Sequence, residues 1–76
     1  MSEVEWLKIF GDNLNELLGE KGVTQSELAE ETGLSESSIS CYMHKTKMPG
    51  VKAIINLAYA LNCSIDELID FGETIE

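Results

Sequence analysis

Residues 24–39 hold two short helical patterns separated by a single glycine, and this arrangement limits the fold more than any other feature of the chain. Thr24 and Glu27 have the spacing of a capping box, in which each side chain bonds the other residue's free backbone N–H. Gly33 can take the left-handed conformation that ends a helix at little steric cost. Ser35 is a favoured N-cap for the helix that follows. The segment therefore predicts two short helices joined by a glycine turn.

Helical spacing of apolar residues recurs on both sides of this segment, whereas alternating, strand-like runs do not occur. The spacing predicts a first helix over residues 4–20 and a third that runs to about Lys45. A loop over 46–50 then leads to a fourth helix over 51–61. A second capping box, Ser64 with Glu67, begins a short fifth helix. We expect an all-α bundle of about five helices.

Aromatic and apolar residues along these helices should supply the core. Leu7, Phe10, Leu14 and Leu17 fall on one face of the first helix, and Tyr42 and Tyr59 are predicted to be packing aromatics with a solvated hydroxyl. With 76 residues the chain should form a single domain over 1–76, with its core over 4–71 and a frayed tail over 72–76. Ile69, Phe71 and Ile75 are candidate contacts to a second subunit.

Charge is strongly segregated along the chain. The net charge is −9 and there is no arginine, but Ser37 to Ile65 holds no acid and carries Lys45, Lys47 and Lys52. The acidic total argues against a nucleic-acid partner, because nucleic acid is itself a polyanion. The segregation reduces this objection, because it leaves one acid-free region. The acids elsewhere predict a solvated face or a docking surface for a basic partner.

Several classes of function are excluded or disfavoured by composition. A single histidine and the lack of a glycine-rich phosphate loop argue against an enzyme, so we expect no catalytic residues and no cofactor. Cys41, Cys63 and His44 have no spacing typical of a metal site. No apolar run is long enough for a membrane span, and the acidic N-terminus is unlike a secretory signal. We therefore expect a cytoplasmic protein with no membrane partner.

The second and third helices together carry the pattern Q-x-x-L-A-x-x-x-G-L-x-x-x-x-I, from Gln25 to Ile39. Two short helices around a glycine turn are the parts of a helix-turn-helix. The stretch VTQSELAEETGLSESSISCYMHKTKMP, followed by VKAIINLAYALNCSIDELID, resembles the Cro/C1-type, or XRE-like, helix-turn-helix domains of phage and bacterial repressors. The resemblance implies a lambda-repressor-like bundle whose third helix enters the major groove of double-stranded DNA, commonly as a homodimer on two half-sites.

The resemblance also assigns roles by position. Base edges would be read by three residues of the third helix: Glu36, Ser37 and Cys41. Backbone contacts would come from a larger set around it: Gln25, Ser38, Ser40, His44, Lys45, Thr46, Lys47 and Lys52. The implied function is that of a sequence-specific transcriptional regulator, a repressor of phage type.

Departures from the family pattern favour a second hypothesis. Many relatives carry Arg or Gln where this chain has Glu36 and Cys41, and arginines in the first helix where it has Asn13 and Asn15. Few cations and few strong base readers predict modest DNA affinity. The alternative is a protein–protein interaction module that keeps the helix-turn-helix fold and binds DNA weakly or not at all.

Overall fold

The computed structural model describes residues 2–69, and all the regular secondary structure in that range is helical. The elements in chain order are α1 (Glu3–Lys21), α2 (Gln25–Thr32), α3 (Glu36–Met43), α4 (Val51–Ala60) and α5 (Ile65–Leu68). The predicted all-α architecture with five helices is confirmed. The predicted tail over 72–76, and Phe71 and Ile75 as dimer contacts, lie outside the described residues.

Side-chain caps fix the starts of four of the five helices, and three of these caps were predicted from the sequence. The capping boxes of Thr24 with Glu27 and of Ser64 with Glu67 are both formed. The Ser35 side chain accepts a hydrogen bond from the backbone N–H of Ser38. A further capping box, not predicted from the sequence, joins the Ser2 side chain to residue 5 at the start of α1. Each cap satisfies backbone N–H groups that a helix start leaves unpaired.

The core lies between the five helices, each of which packs against two others. α1 packs against α3 and α5, α2 packs against α3 and α4, and α4 packs against α5. The large side chains with less than 2% exposure come from all five helices: Phe10, Leu14, Leu28, Ile39, Leu57, Leu61 and Leu68. The Phe10 ring meets the Tyr42 ring edge-on at 5.9 Å between centroids, which ties α1 to α3.

The prediction for Tyr59 is wrong. Its side chain is 88% exposed on α4, whereas Tyr42 is buried as predicted. The helical stripe of α4 explains the difference, since Leu57, Ala58 and Leu61 fill the core-facing side and leave residue 59 on the opposite side. Ile69 is half-buried against this chain's own core.

Candidate nucleic-acid interface

The turn between α2 and α3 is built around Gly33. Its φ angle is +79°, in the left-handed region, and its N–H donates to the carbonyl of Ala29 at 2.9 Å. The Thr32 hydroxyl donates to the carbonyl of Leu28 at 2.8 Å and accepts from the N–H of Leu34 at 3.1 Å. The end of α2 and the approach to α3 are therefore held by both backbone and side-chain hydrogen bonds.

α3 is buried along one side and solvated along the other. Ile39 is fully buried and Tyr42 is 4% exposed, so these two side chains fix the inner face against the core. Ser37, Cys41 and His44 follow at steps of four and three residues and share the outer face. Ser37 and His44 are exposed, and Cys41 is half-buried. The outer face is thus small and polar, which lets a groove of another molecule come close to the helix.

The end of α3 is unusual because Lys45 adopts a left-handed conformation, with φ at +64°. The N–H of Thr46 donates to the carbonyl of Cys41 at 2.9 Å, and the N–H of Lys45 donates to the carbonyl of Tyr42 at 3.1 Å. These are the two hydrogen bonds of a Schellman motif, in which glycine is the usual left-handed residue. A non-glycine residue in this conformation costs roughly 1–2 kcal/mol. The lysine side chain packs on α1, where it makes contacts that a glycine at this position would lack.

The Lys45 side chain crosses α1 at a glycine. A Cβ placed on Gly11 would lie 3.0 Å from the backbone oxygen of Tyr42 and 3.2 Å from the Lys45 Cε, and still closer to its Cγ. The missing side chain therefore gives both α3 and the lysine stem their close approach to α1. This explains a glycine in the middle of a 19-residue helix, where it would otherwise lower stability.

Beyond Gly11 the ammonium group of Lys45 reaches an acid. Lys45 Nζ lies 2.8 Å from Asp12 Oδ1, and Lys8 Nζ lies 3.1 Å from Asp12 Oδ2. The hydrogen bond from Lys45, and then the one from Lys8, hold the pKa of the Asp12 carboxyl below its usual value. Asp12 is thus ionised at neutral pH and partly neutralises Lys45. One acid of α1 therefore lies beside the residues that follow α3.

Lys47 turns back toward α3. Its Nζ donates to the Ser38 hydroxyl at 3.2 Å and lies 5.9 Å from the centre of the Tyr42 ring. Both contacts are on the exposed side of the molecule, so the ammonium group keeps access to solvent. Lys52, near the start of α4, is exposed. The three lysines of the acid-free region therefore differ in how freely they can meet a new anion, with Lys45 the most restrained.

The two asparagines of α1 are structural in this fold. Asn15 Nδ2 donates to the carbonyl of Met43 at 3.1 Å and to that of Gly11 at 2.9 Å, so it satisfies a carbonyl at the last turn of α3. Asn13 Nδ2 donates to the carbonyl of Leu68 at 2.9 Å and links α1 to α5. These positions hold neighbouring helices in place, which the sequence alone did not indicate.

The two cysteines are free thiols, and the histidine bonds within its own helix. Burial raises the pKa of the Cys63 thiol, which favours its neutral form. His44 Nδ1 lies 2.8 Å from the Ser40 carbonyl and 3.3 Å from the Ser40 hydroxyl, which closes the C-terminal end of α3. His44 thus acts on its own helix end in this structure.

The predicted site residues gather around α3. Glu36, Ser37 and Cys41 lie on that helix, with Glu36 exposed in its first turn. The remaining predicted residues lie on α3 itself, on the loop that follows it, or at the starts of neighbouring helices: Gln25, Ser38, Ser40, His44, Lys45, Thr46, Lys47 and Lys52. The sequence analysis missed Gly11 and Asp12 of α1, because their link to residue 45 depends on tertiary packing.

A capped helix, a glycine turn and a second helix with a solvated outer face define the helix-turn-helix class of DNA-binding domain. This chain belongs to one family within that class, the Cro/C1-type HTH DNA-binding domains, whose family model matches residues 13–73. The family resemblance stated from the sequence is confirmed.

Two bacterial relatives are named as HTH-type transcriptional regulators. The chain is 29% identical over 68 residues to YqaE of Bacillus subtilis (strain 168), which covers 90% of this chain and 58% of that protein. It is 36% identical over 62 residues to y4dJ of Sinorhizobium fredii (strain NBRC 101917 / NGR234), covering 82% of this chain and 80% of the relative. The chain thus spans little more than half the length of YqaE.

Solved structures share the fold. The restriction-modification controller protein C.AhdI from Aeromonas hydrophila matches with a TM-score of 0.79 and 34% identity, over 82% of this chain and 94% of that one. A hypothetical transcription factor, NHTF from Neisseria, matches with a TM-score of 0.81 and 25% identity, over 91% of this chain and 79% of that one.

Within residues 2–69, no helix is both long and apolar enough to cross a bilayer.

Proposed function

We propose that this chain is a sequence-specific DNA-binding transcriptional regulator of phage-repressor type, which inserts α3 into the major groove. The observation that carries the proposal is the solvated outer face of α3, with Ser37, Cys41 and His44 in line and Ile39 locked into the core behind them. A helix of this kind fits the major groove, which is wide enough to admit one. Membership in the Cro/C1-type family supports the same conclusion.

The proposed base readers favour particular base pairs. A carboxylate only accepts hydrogen bonds, so Glu36 would pair with the N4 amino group of cytosine. Cys41 would contact a thymine methyl through its weakly polar thiol. Ser37, next to Glu36 and exposed, can donate or accept. This set is weaker than one with arginine and glutamine, so modest affinity is expected.

The proposed backbone contacts surround α3. Lys47 and Lys52 are exposed and would contact phosphates directly. The Lys45 ammonium group would either leave Asp12 for a phosphate or contact both groups at once. Gln25, at the first position of α2, would hold a phosphate where backbone N–H groups already favour an anion. The proposed backbone contacts are completed by Ser38, Ser40, His44 and Thr46.

A selection of bound duplexes from a random DNA pool at low salt tests this function. We expect enrichment of a short site in which one position is fixed as cytosine and another as thymine, because Glu36 and Cys41 prefer these bases. A twofold-symmetric site would indicate that two copies bind together. If no sequence is enriched, the proposal of sequence-specific binding is wrong.

A second function is favoured by one specific observation, the neutralisation of Lys45 by Asp12. With a net charge of −9, a chain that holds one of its few cations in an internal pair suits a basic protein partner better than a polyanion. Under this alternative the fold is kept and the acids outside residues 37–65 bind a protein partner. The lysine substitutions described in the Discussion separate the two functions.

A further inference from the structure

The two ends of α3 are held by different elements. Its start follows the Gly33 turn, where the N–H of Leu34 donates to the Thr32 hydroxyl and fixes the approach to the helix. Its end meets α1, where the Asn15 side chain donates to the carbonyl of Met43 at 3.1 Å. The orientation of α3 on the protein therefore depends on one fixed point from α2 and one from α1.

Asn15 joins the two helices through a single amide group. An asparagine amide has two N–H donors, and Nδ2 of Asn15 also donates to the carbonyl of Gly11 at 2.9 Å, one turn earlier in α1. The bond within α1 fixes the side-chain rotamer, so the bond to Met43 holds the end of α3 at a defined place on α1. The end of a helix leaves carbonyls without a helical partner, and this bond supplies one.

The other contacts between α1 and the end of α3 constrain it in a different way. The Phe10 and Tyr42 rings pack edge-on, and the Tyr42 carbonyl oxygen lies close to Gly11, so the two helices cannot come nearer to each other. The Lys45–Asp12 ion pair acts beyond the last residue of α3 and is exposed to solvent, where ion pairs are weak. Asn15 therefore provides the directional bond that keeps the helix end from lifting away.

Distance from the glycine turn decides which base reader depends on this bond. An α-helix rises 1.5 Å per residue, so Cys41 lies about 7.5 Å further along α3 than Glu36, the first residue of the helix. A tilt of about 10° around the start of α3 would move Cys41 by about 1.3 Å and Glu36 by much less. A shift of this size exceeds the precision that a binding contact needs. Contact at Cys41 thus requires a fixed helix end, whereas contact at Glu36 does not.

We propose that Asn15 is a positioning residue for base reading, which holds the end of α3 so that Cys41 reaches its base. The inference rests on the proposed function and adds to it a residue of α1 that acts on specificity through another helix. It separates the two proposed readers, because the thymine preference at Cys41 depends on Asn15 and the cytosine preference at Glu36 does not.

Asn15→Ala and Asn13→Ala form a matched pair of variants. Both asparagines lie on α1 and donate to a carbonyl of another helix, but Asn13 bonds to Leu68 of α5. The duplex selection is repeated with each full-length variant after circular dichroism has verified its fold. We expect Asn15→Ala to keep the cytosine preference and to lower the thymine preference from about fivefold or more to less than about twofold. Asn13→Ala should keep both preferences. Neither substitution changes a charge, so both variants should keep the wild-type salt slope.

Amide hydrogen exchange of the free protein provides a readout without DNA. The N–H groups of His44 and Thr46 bond to carbonyls of α3. They should exchange several-fold faster in Asn15→Ala than in wild type or Asn13→Ala, because the end of the helix opens more often. Equal exchange in the two variants would overturn the inference.

The selection separates failure of this inference from failure of the proposed function. A wild type that enriches a site, with an Asn15→Ala variant that keeps the thymine preference, would overturn only the role of Asn15. An equal loss of both preferences would also overturn it, because the effect would then be a general loss of structure. A wild type that enriches no site would reject the proposed function and, with it, any role of Asn15 in base reading.

Discussion

The double substitution Lys45→Glu with Lys47→Glu is expected to weaken binding to the selected duplex by about 100-fold or more near 0.1 M salt. Each chain loses two cations and gains two anions beside α3, which changes the local charge by four units. In the free protein the substitutions also remove the Lys45–Asp12 ion pair and the contact of Lys47 with Ser38. Fluorescence anisotropy of a labelled duplex measures the loss.

The matched control compares two single variants, because Lys21→Glu makes the same change of net charge as Lys47→Glu but lies in the last turn of α1. Lys21 is outside the Lys8–Asp12–Lys45 cluster, so binding should fall only by the weaker, long-range effect of the added charge. Equal losses in these two single variants would mean that α3 and its following loop are not the contact surface. Regulation of a reporter that survives Lys45→Glu with Lys47→Glu would favour the protein-binding alternative.

Gly11→Val is expected to destabilise the fold by about 2–3 kcal/mol. Even a single Cβ at this position would lie 3.0 Å from the Tyr42 carbonyl oxygen, and the two further methyl groups of valine have no free volume between α1 and the end of α3. For a chain of this length such a loss lowers the melting temperature by roughly 10–20 °C. Urea or thermal unfolding followed by circular dichroism gives the value.

Gly19→Val provides the comparison within the same helix. A Cβ on Gly19 meets nothing within 4 Å, so valine there changes only helix propensity and should be neutral or slightly stabilising. Equal stabilities of the two variants would contradict the close approach of Lys45 and Tyr42 to α1 at Gly11. The difference between them isolates packing from propensity, because both replace a helical glycine with the same residue.

Much of this fold could be predicted because its signals are local. The capping boxes at Thr24 and Ser64 and the glycine at position 33 act within a few residues of themselves, and all three occur where the sequence pattern put them. Helical periodicity in α1 likewise predicted that Phe10, Leu14 and Leu17 are buried, whereas Leu7, predicted on the same face, is only half-buried. Local hydrogen-bond chemistry and a period of 3.6 residues are readable without tertiary information.

The features that could not be predicted all depend on distant contacts. Lys45 adopts a conformation for which glycine is the usual signal, and it is held there by residues more than 30 positions earlier in the chain. Tyr59 is not one of these features, since the helical period that places Leu57, Ala58 and Leu61 in the core also turns residue 59 to solvent. Composition gave no sign that Asn15 caps the end of another helix. Such pairings follow from packing, and a single sequence does not encode them in any short pattern.

The salt dependence of duplex binding tests the central claim most directly, because each lysine that meets a phosphate adds about 0.9 to the slope of log affinity against log salt. For a dimer, we predict a slope of about −4 if only Lys47 and Lys52 make contacts and about −5 if Lys45 also leaves Asp12. Asp12→Asn should strengthen binding by freeing Lys45, whereas Glu16→Gln, one helical turn away, should have a smaller effect. A slope near zero for the selected duplex would contradict the account, because the acid-free region around α3 would then make no contact with the DNA backbone.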